Sequence, residues 1–171
     1  PNPPPTAAPI GPPTVRPAIV KCKDEEAELD WIVEAAIRMS GNQSIAILVR
    51  NRELVDLVEE KLRAKKIIPQ ILKNRMGVLD LNAKISIGTY HSAKGLEFDM
   101  VFLPFCSMKY LPSEERVLAN ESRDEALKEE TKLLYVAITR AKRGLILSYT
   151  EEKTELLLEV DTSLYDEREL K

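Results

Sequence analysis

Polar side chains crowd a short segment between two stretches rich in apolar residues, 85–87 and 101–103. Both stretches contain β-branched or aromatic residues, which favour buried strands. The polar or conformationally special residues between them are Thr89, His91, Ser92, Lys94, Gly95, Glu97 and Asp99. Open α/β sheets bind ligands at the carboxyl ends of their strands, and these residues follow such an end. Ordinary solvated loops are polar too, so polarity alone leaves a ligand-binding loop and a plain loop as alternatives.

Two arginines are the other candidates for chemistry. Arg50 directly follows the apolar run 45–49, at the predicted carboxyl end of a strand. Arg140 lies near the end of a predicted helix over about residues 124–141, close to Lys142. A guanidinium group is permanently charged, and its planar fork matches phosphate oxygens. Cations at a helix C-terminus also compensate the helix dipole, so Arg140 and Lys142 taken alone fit either explanation.

The composition is that of a globular domain. The chain has 171 residues, 44% of them hydrophobic and 31% charged, which is enough for one domain with a real core. Its net charge of −3 gives no overall attraction to nucleic acid, so any such contact requires a local patch. Cys22 and Cys106 form no Cys-x-x-Cys pair, which predicts reduced thiols in a cytoplasmic protein. One His and two scattered Cys argue against a metal site, and no apolar run is long enough to span a membrane.

Three regions differ in composition. Residues 1–17 contain eight of the eleven prolines and predict an extended linker. Residues 18–150 predict the folded domain. Residues 151–171 predict a charged tail that frays, with a short helix near 156–160. The chain starts on Pro1 rather than Met, which suggests a piece excised from a longer protein.

Predicted strands and helices alternate along the folded region. Apolar periodicity predicts helices over about 24–39, 54–62 and 124–141. Apolar runs predict strands over 18–22, 45–49, 67–72 and 145–149, besides the two that flank the polar segment. Pro69 marks its strand as an edge strand. The alternation predicts an α/β fold with a mostly parallel sheet flanked by helices.

Three segments resemble motifs of the UvrD/Rep family of superfamily-one DNA helicases. Thr-x-His-x-x-Lys-Gly-Leu-Glu-Phe at 89–98, followed by a hydrophobic strand, is similar to motif V. Leu-Leu-Tyr-Val-Ala-Ile-Thr-Arg-Ala-Lys-Arg at 133–143 is similar to motif VI. Residues 46–62 resemble motif IV more loosely, because Asn-Arg-Glu at 51–53 stands where the family more often has Thr/Ser-Asn-x-Gln-Ser-Arg. The three segments occur in the family order and span residues 45–149.

The resemblance implies the second RecA-like domain of such a helicase, a P-loop NTPase-like fold without the Walker A half. In that family, ATP and Mg²⁺ lie between two RecA-like domains and are bound mainly by the N-terminal one. By the match, Arg50 and Arg140 are catalytic residues that converge on one face of the cleft and reach the γ-phosphate. Gly95 and Glu97 then belong to the nucleotide side of the same cleft.

The resemblance also implies that Thr89, His91 and Lys94 contact single-stranded DNA. The chain is then expected to be the C-terminal half of the motor of an ATP-dependent DNA helicase or translocase. Its expected partners are single-stranded DNA and the N-terminal RecA-like domain of the same full-length protein.

Two departures from the family pattern limit this expectation. None of the six glycines begins a Gly-x₄-Gly-Lys sequence, so we predict that the chain alone does not hydrolyse ATP. Only residues 73–84 stand where the family usually carries a large inserted subdomain, which argues against duplex unwinding. Translocation on single strands, or remodelling of a bound protein such as RNA polymerase, stays open. The alternative is a non-catalytic module that docks such a protein, favoured by the acidic segment 114–130 and the negative net charge.

Overall fold

The computed structural model describes residues 15–74, 79–80 and 82–171. Most of the linker predicted for residues 1–17, and part of the predicted 73–84 connection, lie outside the described residues. The elements in chain order are β1 (Ala18–Cys22), α1 (Glu25–Met39), β2 (Ile45–Val49), α2 (Arg52–Ala64), β3 (Gln70–Ile71), β4 (Ile85–Thr89), β5 (Phe98–Leu103), α3 (Glu114–Ala119), α4 (Arg123–Ile138), β6 (Ala141–Thr150) and β7 (Asp166–Glu169). Two 3₁₀ turns, Glu155–Leu157 and Thr162–Leu164, lie between β6 and β7.

Within the described residues, seven strands form one sheet in the order β3-β4-β2-β5-β6-β1-β7. Every neighbouring pair in this sheet is parallel. The short β3 lies at one edge, as Pro69 predicted. The prediction of an α/β fold with a parallel sheet is therefore confirmed.

Local sequence signals start the first two helices where they were expected. Asp24 precedes α1, and its carboxylate accepts the backbone N–H of Ala27 at 2.8 Å. Asn51 caps α2 in the same way, accepting a backbone N–H at 3.0 Å. Because α2 starts at Arg52, Arg50 lies in the tight turn at the carboxyl end of β2.

Helices cover both faces of the sheet. In β2, Ile45, Ile47 and Val49 pack in the core cluster that contains α1 and α2. Ala46 and Leu48 alternate with them and pack in the cluster on the α4 side. A strand buried on both faces explains the continuous apolar run in its sequence. Because both faces of the sheet are packed, the turns at the strand ends are held in fixed positions.

The C-terminal segment differs from the predicted fraying tail. After the two 3₁₀ turns, β7 pairs with β1 from Ala18 beside Asp166 to Lys21 beside Glu169. The Arg16 guanidinium donates to the Asp166 carboxylate at 2.9 Å and strengthens the same edge. Backbone hydrogen bonds, not apolar periodicity, make this strand, so its charged sequence gave no sign of it.

The region from α3 to β6 also departs from prediction. No helix was predicted between residues 103 and 124, yet this stretch contains the six-residue helix α3, none of whose side chains is buried. The α4 helix ends at Ile138 instead of near residue 141, and β6 begins already at Ala141. The cause is tertiary, because β6 pairs with β5 from its first residue. No helix in the described part of the chain is both long and apolar enough to cross a membrane.

Candidate functional site

The polar segment 89–97 forms a compact loop that leads from the carboxyl end of β4 to the amino end of β5. Thr89 and Ser92 hold its first turn reciprocally: the Thr89 N–H donates to Ser92 Oγ at 2.8 Å, and the Ser92 N–H donates to Thr89 Oγ1 at 3.1 Å. Gly88 permits this packing, since a Cβ there would lie 2.6 Å from Ser92 Oγ and 2.8 Å from Leu72 Cβ. The Thr89 hydroxyl therefore organises the loop, and the exposed His91 is the side chain that the turn presents.

His91 lies where two pockets adjoin. The first, of about 440 Å³, is lined by His91 together with Arg50, Arg116 and Glu129. The second, of about 270 Å³, shares His91, Arg116 and Glu129 and adds Lys94 and Lys132. We call these two pockets, bounded by the 89–97 loop, α3 and α4, the His91 groove.

Charged side chains of both signs surround His91 in the groove. Loss of hydration at the groove wall, and then the positive charges of Arg50 and Arg116, lower the pKa of His91. A neutral imidazole among fixed cations can accept a proton when an anion arrives. Thr89, His91 and Lys94 were predicted together, and His91 and Lys94 do line one groove.

Arg50 is held in a buried ion pair with Glu130. Its Nε donates to Glu130 Oε2 at 2.9 Å and its Nη2 to Oε1 at 2.6 Å. The side chains are 12% and 1% exposed, so this fork is removed from bulk water. Hydrogen bonding to Glu130 is the main reason that the pKa of Arg50 is raised. Arg116 approaches the same carboxylate more loosely, at 3.8 Å.

Arg140 occupies the short connection between α4 and β6. Its Nε donates to the Val136 carbonyl at 3.1 Å, its Nη1 to the Leu96 carbonyl at 3.1 Å and its Nη2 to Thr139 Oγ1 at 3.2 Å. These bonds use three of the five N–H groups of a guanidinium. The other two donors have no partner among the residues that the structure describes, so they can bind an anion.

Gly95 and Glu97 flank Leu96, whose carbonyl accepts the hydrogen bond from Arg140. Gly95 has a φ of +85°, a left-handed conformation that L side chains rarely adopt. Glu97 is exposed at the end of the loop. The motif V and motif VI segments thus bring Gly95, Glu97 and Arg140 together at the amino ends of β5 and β6.

The expectation that Arg50 and Arg140 converge on one face does not hold in this structure. Ile45 of β2 is level with Met100 of β5, which is level with Gly144 of β6. Arg50 lies five positions beyond Ile45 and Arg140 four positions before Gly144, which separates their backbones by roughly 30 Å along the strands. Since β2, β5 and β6 are parallel, one arginine lies at the carboxyl end of the sheet and the other at its amino end.

Several residues of these sites were not singled out from the sequence: Gly88, Arg116, Glu130 and Lys132. Glu130 did carry a signal, because it falls on the same helical stripe as the buried Ala126, Leu134 and Ala137. A carboxylate at a buried position requires a partner, which predicts a cation nearby. Arg116 gave no such signal, since only the chain path after β5 brings it to the groove. No group of three or more metal-binding side chains occurs among the residues that the structure describes.

Solved structures share this fold. The C-terminal domain of a possible DNA helicase from Lactobacillus plantarum WCFS1 superposes with a TM-score of 0.67 at 22% identity, over 90% of this chain and 86% of that one. A chain in the structure of the E. coli DEAD-box protein SrmB bound to regulator of ribonuclease activity A gives a TM-score of 0.61 at 14% identity, over 94% of this chain and 92% of that one. The fold is that of a RecA-like helicase domain.

Sequence comparison defines the family. Residues 69–152 match the UvrD-like helicase C-terminal domain, and the chain belongs to that family. DNA helicase II of Rickettsia typhi is 36% identical over 83 residues, covering 48% of this chain and 12% of the relative. ATP-dependent DNA helicase Rep of Buchnera aphidicola subsp. Schizaphis graminum is 30% identical over 131 residues, 74% of this chain and 17% of the relative. The chain spans less than a fifth of the length of these relatives. The matched family range includes the motif V and VI segments but not Arg50.

Proposed function

We propose that this chain is the second motor domain of an ATP-dependent DNA helicase or translocase. In this proposal ATP and Mg²⁺ are bound mainly by an N-terminal RecA-like domain of the same protein. The observation that carries the proposal is the docking of Arg140 on the Leu96 carbonyl, in the very loop whose other end presents His91. One loop of nine residues, 89–97, thereby joins a candidate nucleotide site to a candidate nucleic-acid site.

Arg140 is the proposed arginine finger. Its two remaining N–H donors fit the oxygens of a γ-phosphate, and its hydrogen bonds to the protein hold the fork in place before the ligand arrives. Such a finger contributes about 10³- to 10⁵-fold in rate. Glu97 can accept hydrogen bonds from ribose hydroxyls, and the left-handed Gly95 allows the backbone to approach the nucleotide closely.

We propose that the His91 groove binds the single strand. His91 and Lys94 contact phosphates or bases, whereas Thr89 acts by fixing the turn through Ser92. The net charge of −3 restricts attraction to this local surface, so affinity should fall steeply with salt. Arg50 takes a different role from the predicted one: we propose that it positions Glu130 and the groove wall and does not reach the nucleotide.

The loop and α4 provide the proposed mechanical link between the sites. Arg140 binds the carbonyl of Val136 on α4 and that of Leu96 in the loop, so a change in its position is transmitted to both. Domain closure on nucleotide would then shift the grip of His91 on the strand, as nucleotide-dependent closure does in other switches.

The test is Arg140→Ala in the full-length protein that carries this chain, with Arg140→Lys as a second variant. We expect kcat for ATP hydrolysis to fall by about 10³-fold or more, while nucleotide affinity changes only a few-fold. Lysine should recover little, since it lacks the planar fork. Arg63→Ala is the matched control, because Arg63 lies on α2 in an exposed ion pair with Glu59. Unchanged turnover in Arg140→Ala would contradict the proposal and favour the protein-docking alternative.

A further inference from the structure

We infer that Arg116 of α3 and Lys132 of α4 bind phosphates of a single-stranded nucleic acid that runs through the His91 groove, with α3 as the outer wall. This inference rests on the proposed function and adds two binding residues that lie outside the motif V loop. Arg116 belongs to both pockets of the groove, and Lys132 lines the second pocket opposite Lys94. Cations from three separate elements thus face one space.

Arg116 is available for exchange, in contrast to Arg50. Its side chain is 36% exposed and donates to Glu129, itself 48% exposed, at 2.8 Å. Exposed ion pairs of this kind contribute at most about 1 kcal/mol, so a phosphate can take the place of Glu129. Arg50, by contrast, is held in a buried ion pair with Glu130. If Arg50 moved away, the Glu130 carboxylate would stay buried without its hydrogen-bonded cation, which is costly.

Lys132 is exposed on α4. In the described part of the chain, no carboxylate lies within 4.0 Å of its Nζ. A groove-wall lysine without a carboxylate partner among the described residues is suited to bind a phosphate as a point charge. Glu129 and Val136 mark the extent of the second pocket along α4, a length of roughly 10 Å.

The placement of α3 is explained by this role better than by packing. None of its side chains is buried, and Leu118 is 78% exposed. Its Arg116 forms an ion pair with Glu129 of α4, and the Asn120 side chain caps the helix by donating to the Arg116 carbonyl at 2.7 Å. Such a helix adds little to the core but carries Arg116 to the opening of the groove.

The dimensions of the groove fit part of a single strand. Pockets of about 440 and 270 Å³ have room for a nucleotide or two, with the bases and phosphates within reach of the groove side chains. Glu115 and Glu129 also line the groove, which limits it to a few phosphate contacts. DNA and RNA strands share this phosphate chemistry, and the experiment separates them.

The experiment measures fluorescence anisotropy of labelled oligothymidylate, oligouridylate and a duplex with the full-length protein at several salt concentrations. Arg116→Ala and Lys132→Ala should each weaken single-strand binding by about 3- to 10-fold and reduce the slope of log K against log[salt] by about 0.7 for each lost phosphate contact. Glu129→Gln should tighten binding, because it removes the competing carboxylate. A gain of affinity is not a result that structural damage would produce.

Lys128→Ala is the matched control, since Lys128 lies one turn before Lys132 on α4 and is absent from both pockets. If His91→Ala weakens binding but Arg116→Ala and Lys132→Ala behave like Lys128→Ala, this inference is overturned and the proposed function stands. If no strand binds, or His91→Ala has no effect, the nucleic-acid part of the proposed function fails as well. Binding of the duplex as tightly as the single strand would contradict the inferred path.

Discussion

The two ends of the sheet are built differently. At the carboxyl end, several charged or polar groups are buried or half-buried and paired with each other: Arg50 with Glu130, Thr89 with Ser92, and one oxygen of Glu28 with Ser148. At the amino end, Arg140 bonds to two carbonyls and a hydroxyl among the described residues, and Glu97 is exposed. At the carboxyl end these pairs fix the protein behind the exposed His91 groove, whereas at the amino end Arg140 itself has donors that another domain or ligand can bind.

Two arginines in helicase-like segments of one domain therefore differ in role: Arg50 stabilises the fold, and Arg140 has donors left for a ligand. Removing a buried, paired charge costs stability, because its partner is left uncompensated in the interior. Removing a charge that bonds to carbonyls near the surface costs little stability and affects mainly ligand binding or catalysis. Substitutions in the buried pairs at the carboxyl end should therefore change stability, and substitution of Arg140 at the amino end should change activity.

The largest expected effect comes from Arg50→Met compared with Arg140→Met in this 171-residue chain. Arg50→Met leaves Glu130 buried without its fork and should lower the free energy of unfolding by about 3–5 kcal/mol. Arg140→Met loses only bonds to neutral acceptors and should cost about 1 kcal/mol. Urea denaturation monitored by circular dichroism measures both. Equal losses of unfolding free energy in the two variants would contradict the proposed difference between the two ends of the sheet.

A smaller effect is expected for Gly88→Ala, which tests the packing of the loop that presents His91. The new methyl group meets Ser92 Oγ and Leu72 Cβ at distances that force a shift, so we expect a loss of about 1–3 kcal/mol. Gly41→Ala is the control, because a Cβ at Gly41 has nothing within 4 Å and its φ is not in the left-handed region. The same urea titrations apply, and a neutral Gly88→Ala would mean that the loop is not tightly held.

The smallest effect concerns Glu28, a buried carboxylate that lacks the cation Glu130 has. One oxygen of Glu28 accepts from the Phe105 N–H at 2.8 Å and from Ser148 Oγ at 2.6 Å, and the other has no partner. Burial raises the pKa of Glu28 above its ordinary value of 4.5, although the two hydrogen bonds oppose the shift. The folded chain therefore keeps this proton at pH values where the unfolded chain has lost it.

It follows that Glu28 lowers stability as pH rises from about 4.5 through the raised pKa. Glu28→Gln cannot titrate, so its stability relative to the unchanged protein should improve as pH rises over this range. Unfolding free energies measured from pH 4 to pH 8 test this, with the exposed Glu26→Gln on the same helix as control. Parallel curves for Glu28→Gln and the unchanged protein would contradict it.

Prediction from sequence succeeded where the signal was local. The start of α1 near residue 24, the buried run of β2 and the position of Arg50 after it all depend on neighbours within a few residues. The motif segments indicated the family, which the comparison confirmed. The strand β7 was not predicted, because it forms by pairing with the open edge of β1. The helix α3 was not predicted, because it has no apolar stripe.

The sequence by itself determined the class of fold, the family and the identity of the residues with chemical potential, since periodicity, caps and motif spacing are properties of short segments. Only the tertiary structure decided which of these residues meet. The parallel register of β2, β5 and β6 separates Arg50 from Arg140 by the full height of the sheet, and the path of the chain after β5 brings Arg116 to His91. Spatial neighbours of this kind are set by strand order, which no short stretch of sequence specifies.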